Sequence, residues 1–495
     1  MNYGLRNVLP ISLVALLGLS TSFLSLFVGY RLVLLFISLA FVLFVVAKIS
    51  THRVLFVTTS LMPIVYMPLE FTNGQYYSFT YVLLILSFVL AYKYRTYVAK
   101  SDAFEKVAIA ISIYIFIRIL IIGVFIEGNS FASSFSLLSS DLAKIISGVI
   151  FYRLSKSDQL KPDIIRGLFT AFLVLIGFQV YQTYVGVYRL IDIGYIAPQF
   201  NYNTALGDMR AFSTFLTPVA FGTYLAMIIS FLMWSYAEKP MIRFFKWIFI
   251  GIGIIALIFT ETRGAWIAFF LSTLIILMIS RVISWTRLMI FSILFIPIIT
   301  ISVMLFPEVF VRYADRLSTI TDLTYSSNSI RLQLWTGAME AISRNWLIGY
   351  GQSDFALAVS SYIPQNLSTF THPHETYLEF LFKYGIVGFL LYISLFIITV
   401  YKLLKTIREL PIDKRKLSIV ASALGASLIF IFSSFTESFW GSYNLYITLF
   451  LIIGFGTQQN KKEGNCMPHM DKEYNVPLVR CTEDADQSVK VRWAD

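Results

Sequence analysis

Charge is what this sequence has least of. Charged residues fill 14% of its 495 positions, against about 25% in soluble domains. Hydrophobic residues fill 57%, and so few charges cannot cover a water-exposed surface. Cysteine is scarce too. Cys466 and Cys481 both lie near the end of the chain, which excludes a disulfide scaffold or a cysteine-held zinc cluster in the apolar body. Histidine occurs at only four positions, His52, His372, His374 and His469. No glycine-rich nucleotide-binding loop is present,. The chain reads as an all-α integral membrane protein whose apolar surplus faces lipid. The net charge of +11 is no nucleic-acid signal. After Gly456 acids outnumber bases by one, so the basic excess lies in the first 456 residues. There it sits in short connections between apolar runs, the pattern that orients helices in a bilayer.

A membrane-spanning helix needs about 20 apolar residues. Runs of that kind lie near 8–29, 31–47, 54–69, 78–92, 107–126, 137–152, 165–185, 215–236, 243–260, 265–280, 286–306, 385–401, 417–436 and 440–456. The expectation is 12–14 transmembrane helices. A barrel would alternate in strands of about ten residues, and none does. Alternate connections are basic: Lys48 to Arg53, Lys93 to Lys106, Arg153 to Arg166, Lys239 to Lys246, Arg281 and Arg287, and Lys402 to Lys416. These define the cytoplasmic side and place both termini there. The connections 70–77, 127–136, 186–214, 261–264, 307–384 and 437–439 are then external. The chain divides into a transmembrane bundle (1–306), a large external loop (307–384), C-terminal transmembrane helices (385–456) and a polar cytoplasmic tail (457–495).

The external loop is too long for a linker, and its Trp335, Trp346 and aliphatic residues exclude disorder,. Between Ser329 and Arg344, the positions Leu332, Trp335, Met339 and Ile342 follow helical spacing,. A small folded cap, partly helical, is expected. No internal repeat of the kind many transporters show is visible.

Reactive residues gather on the external side. His372 and His374 stand in Thr-His-Pro-His-Glu ahead of the helix near Gly385. This is either a polar helix entry or an acid–base site, histidine being the commonest such group. Pro373 fixes φ and favours an extended segment in which the two rings point the same way. Two histidines at this spacing need further ligands to hold a metal, and the one Asp-x-Asp, Asp484 to Asp486, lies across the membrane. No metal and no cofactor is expected. Arg263 lies in the tight turn Thr260-Glu261-Thr262-Arg263-Gly264, where it either snorkels or binds. Arg210 stands ahead of Pro218, Arg331 on the cap helix, and Arg118 inside an apolar run. An intramembrane arginine costs about 2.5–3.5 kcal/mol on insertion scales and is a functional candidate by default. Asp141 and Lys144 form a local ion pair by spacing,. Glu437 shares the external side. Arginine forks bind phosphate oxygens bidentately. Several of them with a histidine at the outer interface point to a phosphorylated lipid and a proton transfer.

These motifs resemble those of the O-antigen ligase-related superfamily, which includes O-antigen ligases and Wzy-type polysaccharide polymerases. The resemblance rests on Thr-Glu-Thr-Arg263-Gly-Ala, on Ser-Ile-Arg331-Leu-x-Leu-Trp followed by Leu347-Ile-Gly-Tyr-Gly351, and on His372-Pro-His374-Glu375 with Gly385-Ile-Val-Gly388 beyond it. Arg210 with Pro218 looks like the family's arginine ahead of its next helix. The motifs cover about 205–390. The resemblance implies a GT-C-like glycosyltransferase in the bacterial inner membrane. Such an enzyme takes a glycan from undecaprenyl pyrophosphate on the outer face and passes it to an acceptor sugar hydroxyl. It implies that Arg263 and Arg331 hold the pyrophosphate and that His374 serves the acceptor, with Arg210, Arg118, His372 and Glu375 as further substrate-binding candidates. One departure stands out. The family usually has Asn, Ser or Gln after this histidine, and here Glu375 either orients His374 or marks a different acceptor. The tail beyond 456 resembles nothing in the family.

The chemistry agrees. Departure of a pyrophosphate needs stabilised negative charge, which arginines supply electrostatically. A lipid-activated donor needs no nucleotide site. Ligase and polymerase differ only in acceptor. A lipid-linked oligosaccharide flippase is the alternative, but it would place its charges in a cavity open to both sides. A structural membrane protein would explain the helices and not the gathered arginines and histidines.

Overall fold

The structure is a computed structural model. It describes residues 51–63, 80–94, 101–192, 210–280, 326–409 and 414–457, apart from 216, 352, 368 and 369, together with four short strands and a few isolated positions. The expected spans 8–29, 31–47 and 286–306 lie outside the described residues.

The body is helical because only helices satisfy their own backbone in lipid without forming a closed barrel. In chain order the helices are α1 (Thr51–Leu61), α2 (Thr80–Lys93), α3 (Ala103–Phe116), α4 (Phe131–Ser155), α5 (Lys161–Asp192), α6 (Pro218–Trp234), α7 (Pro240–Phe259) and α8 (Arg263–Ser280). They continue as α9 (Ser326–Arg344), α10 (Phe355–Val359), α11 (Thr376–Glu409), α12 (Lys414–Ser433) and α13 (Tyr443–Gly456). Among the described residues, six helices are long and apolar enough to cross a membrane, and three more are apolar but shorter. The chain is an all-α integral membrane protein. Among the described residues, strands are confined to two small hairpins, β1 (Glu70–Phe71) with β2 (Gln75–Tyr76), and β3 (Met467–Met470) with β4 (Pro477–Arg480). Gln458–Asp495 forms a compact unit separate from the rest.

Sequence decides which helices are central. α13 is apolar on every side and is buried along its whole length, as such a helix must be. It packs on α4 and α12, and α12 packs on α6 and α8. Lipid-facing residues such as Phe270, Leu390 and Ile397 stay exposed on the outer helices. At one end a buried charge cluster joins three helices: Asp102 accepts from Tyr152, Lys156 and Lys402, and Glu105 accepts from Arg153 and Lys156.

The opposite end carries the cap. α9, α10 and the segment to Leu367 share a small core of their own, built on Leu334, Ala338, Ala341, Phe355 and Val359. The buried face of α9 is therefore Leu334, Ala338, Ala341 and Ile342, and not the stripe that spacing indicates. Leu332 is 41% and Met339 53% exposed. Two overlapping apolar stripes existed in the sequence, and packing against α10 selected the one rich in alanine, which allows close approach.

Helix α11 begins at Thr376, ahead of the hydropathy boundary at 385, and breaks at Gly385, where φ is +61°. The broken turn is re-satisfied by the cap. Ile386 N donates to Trp346 O (2.8 Å), Tyr350 N to Phe382 O (2.7 Å) and Gly351 N to Lys383 O (2.8 Å). Any side chain at Gly349 or Gly385 would strike the other strand's backbone, which explains glycine at both. Arg118 secures this crossing. It lies fully buried on a π-helical continuation of α3, Ile117–Ile126, and donates to Ile348 O and Gly349 O, each at 2.7 Å, and to Glu127 at 2.8 Å.

Candidate functional site

The turn into α8 supplies the first component. Glu261 adopts φ +49°, and its N–H closes back on Ile258 O at 2.9 Å, ending α7 within one residue. Arg210 donates to Thr260 O (3.2 Å), Glu261 O (3.0 Å) and Thr262 Oγ1 (3.3 Å). It satisfies carbonyls that the helix end leaves open. Thr262 Oγ1 donates to Pro218 O at 3.1 Å, tying the turn to α6. Arg263 is thereby fixed at the mouth of α8, and its Nη2 lies 3.4 Å from Asn328 Oδ1 on the cap helix.

One face of α9 reaches over this turn. Asn328, Arg331 and Trp335 follow a 3, 4 spacing,. Asn328 meets Arg263, Arg331 lies within electrostatic reach of Glu437, and Trp335 Nε1 donates to Pro373 O at 3.0 Å. The α12–α13 connection closes a further side. Gly264 packs directly against Thr436, which places Glu437 beside the arginine turn. Thr376 N donates to Ser434 O (2.9 Å), Thr376 Oγ1 to Glu437 O (2.7 Å) and Phe439 N to Thr376 Oγ1 (3.0 Å), locking that connection onto the start of α11.

His374 is the meeting point. Its Nδ1 lies 2.9 Å from Glu437 Oε1. Its backbone is left-handed, with φ +54°, so the expected extended segment turns here. His374 N donates to His372 Nδ1 at 3.2 Å, and the two rings meet edge to face at 4.3 Å. Glu375 does not face His374. Its carboxylate accepts from Tyr377 N at 3.1 Å and from Leu378 N, capping α11,. The carboxylate that orients His374 is Glu437.

Charge states follow from surroundings. Burial would raise Glu437, but the His374 charge and hydrogen bond, then His372 and Arg331, outweigh it and hold the carboxyl down to about 2. Glu437 is therefore ionised at neutral pH and can only accept. His374 Nδ1 therefore carries a proton towards Glu437, and in the neutral imidazole the lone pair is the one on Nε2,. His372 has the opposite arrangement. A backbone N–H only donates, so its Nδ1 is unprotonated and its proton sits on Nε2. Burial, followed by the neighbouring His374, lowers the pKa of His372, which favours that neutral form. His374 is thus arranged as a base and His372 is not.

Ligand atoms of His372, His374 and Glu437 lie within 4.8 Å of one another, a grouping that could hold a metal ion. The third ligand comes from a segment remote in sequence. Both Nδ1 atoms are already engaged, and the remaining His372 nitrogen carries a proton that a metal would have to displace.

Glu375 gives a test of its own. Burial raises its carboxyl from 4.5 to about 7 against the two capping N–H groups. The folded state then binds more protons than the unfolded one between those values, so this group's contribution to stability falls as pH rises through the window. Glu375→Gln keeps a capping oxygen and removes the titration. The melting temperature of the wild type should fall relative to the variant between about pH 4.5 and 7. Parallel curves would show that the carboxyl is not buried as described.

Of the residues singled out from sequence, the structure brings together Arg263, Arg331, His372 and His374, with Glu375 adjacent. Arg210 stands behind Arg263 and supports its turn. Arg118 belongs to the cap crossing. Glu437 and Asn328 join the site without having been named as its members. The signal for Glu437 was a lone carboxylate between two apolar runs on the external side. Asn328 carried none.

A family model described as O-antigen ligase matches residues 247–393. That interval takes in Arg263, Arg331, His372 and His374 and excludes Glu437 and Arg210. No curated protein matches the chain.

Proposed function

We propose, for a chain in which residues 247–393 match a family model described as O-antigen ligase, that it belongs to the O-antigen ligase-related superfamily and transfers a glycan from a polyprenyl diphosphate such as undecaprenyl pyrophosphate to a sugar hydroxyl of an acceptor, on the outer face of the membrane. The family comprises enzymes acting on lipid-linked glycans, and this chain is a multi-pass membrane protein of that type. The observation that carries the finer reading is the His374–Glu437 pair beside Arg263 and Arg331.

His374 Nε2 takes the proton of the acceptor hydroxyl as its oxygen attacks the anomeric carbon. Glu437 stabilises the imidazolium that forms. The bond from the anomeric carbon to the diphosphate oxygen breaks, and the electron pair leaves on the diphosphate. Arg263 and Arg331 offset that charge, a preorganised arrangement that acts most strongly where water is excluded. Arg210 keeps the Arg263 turn in place, and Arg118 keeps the cap seated.

Purified protein incubated with a lipid-diphosphate glycan and candidate acceptors should form the transfer product, and EDTA should leave the rate unchanged. The His372, His374 and Glu437 grouping supports the competing reading, a metal-assisted transfer. A complete loss in EDTA that a divalent cation restores would select it.

The external assignment is tested separately, in a background with Cys466 and Cys481 replaced by serine. Leu357 on the cap is 75% exposed, and Gln159 is exposed in the basic connection between α4 and α5. Leu357→Cys should label with a membrane-impermeant thiol reagent in intact cells and Gln159→Cys should not. The reverse pattern would put the site on the cytoplasmic face.

A further inference from the structure

A histidine in the left-handed region is unusual for a residue with a side chain. Such backbone persists only where its surroundings over-determine it. At His374 they do so from three directions. Glu437 holds the ring at Nδ1. Trp335 Nε1 holds the carbonyl of Pro373 just before it. His372 Nδ1 accepts its backbone N–H at 3.2 Å, and Pro373 between the two histidines has a fixed φ.

The last contact has a recognisable form. In an Asx turn, an Asn or Asp side-chain oxygen accepts the N–H two residues on. His372 Nδ1 stands the same number of bonds from its backbone as Asn Oδ1 and accepts the same N–H. The imidazole therefore does the work of an Asx side chain. Its second nitrogen carries the proton and is not needed for this role.

We infer that His372 is a positioning residue, whose Nδ1 sets the turn that aims His374 Nε2 at the acceptor hydroxyl. The inference rests on His374 being the base. Two other roles are open to the same ring, and both use Nε2: donation to substrate, or metal ligation after deprotonation. The turn-forming role uses Nδ1 alone, and asparagine supplies that.

The experiment compares His372→Ala, His372→Asn and His372→Gln in purified protein, with His374→Ala alongside. Alanine should lower kcat by about tenfold to 10²-fold, as misaimed groups do, with KM for the donor little changed. Asparagine should recover most of that loss. Glutamine is one methylene too long to close the same ring and should resemble alanine. Should the alanine variant fail to fold, the asparagine–glutamine pair still decides, since the two side chains match in polarity and charge. Ring ¹⁵N spectra of the wild type should show His372 neutral with Nδ1 unprotonated. Asparagine no better than glutamine, in proteins of equal melting temperature, would overturn the inference and assign His372 a role through Nε2. A wild-type rate in His372→Ala would overturn it as well. Activity retained in His374→Ala would instead remove the base reading, and the ring spectrum would then judge the His372 hydrogen bond on its own.

Discussion

His374→Ala should lower the transfer rate by about 10²–10⁴-fold, the usual worth of a positioned general base, while the donor still binds. On the proposed function donor affinity rests on Arg263 and Arg331, which the substitution does not touch. Glu437 gives the graded companion. In Glu437→Gln the amide oxygen still accepts from Nδ1, so the tautomer survives, but the negative charge that stabilises the imidazolium is gone. Glu437→Ala loses both, and it leaves the Ser438 N–H that Glu437 accepts at 3.1 Å without this partner. The expected order of rates is wild type, then Gln, then Ala, measured in single turnovers so that product release does not mask the chemical step. Equal rates in wild type and His374→Ala would dismiss the base assignment.

The arginines should show the second large effect. Removing one preorganised donor to a developing oxyanion costs about 10²–10³-fold in kcat, and Arg263→Ala and Arg331→Ala should each fall in that range. Lysine should rescue poorly at both, because a point charge cannot reproduce a bidentate fork. The two positions should differ in one respect. Arg331 also lies within electrostatic reach of Glu437, the partner of His374, whereas Arg263 reaches the cap through Asn328. Because both are proposed to act on one diphosphate, the combined loss in the double variant should depart from the product of the single losses, as happens for residues sharing a partner. Wild-type activity in Arg263→Ala, with normal protein level, would take that residue out of the site.

Much of the site was legible because it lies in short local motifs. Arg263 follows a turn that hydropathy exposes by interrupting two apolar runs. His372 and His374 stand beside a proline at a helix entry. Their common side follows from the distribution of lysine and arginine. Arg118 was legible as a costly residue but not in its role, since its carbonyl partners Ile348 and Gly349 are 230 and 231 residues away. Of the two roles open to Glu375, orienting His374 is not the one the structure shows, for a related reason. Adjacency in sequence made it the natural partner of His374, but the left-handed turn at His374 sends the two side chains apart.

Composition and apolar runs by themselves determined that the chain is a helical membrane protein and roughly where several helices lie, and they led to the expectation that certain charged residues share a side. Those properties depend on local transfer free energy, which each segment carries alone. Only the tertiary structure decided which stripe of α9 is buried, that α11 breaks at Gly385 to receive the cap, and that Glu437 rather than Glu375 pairs with His374. Each of these is a choice between local alternatives of similar energy. Contacts between segments far apart in the chain made the choice, and no window of sequence contains them.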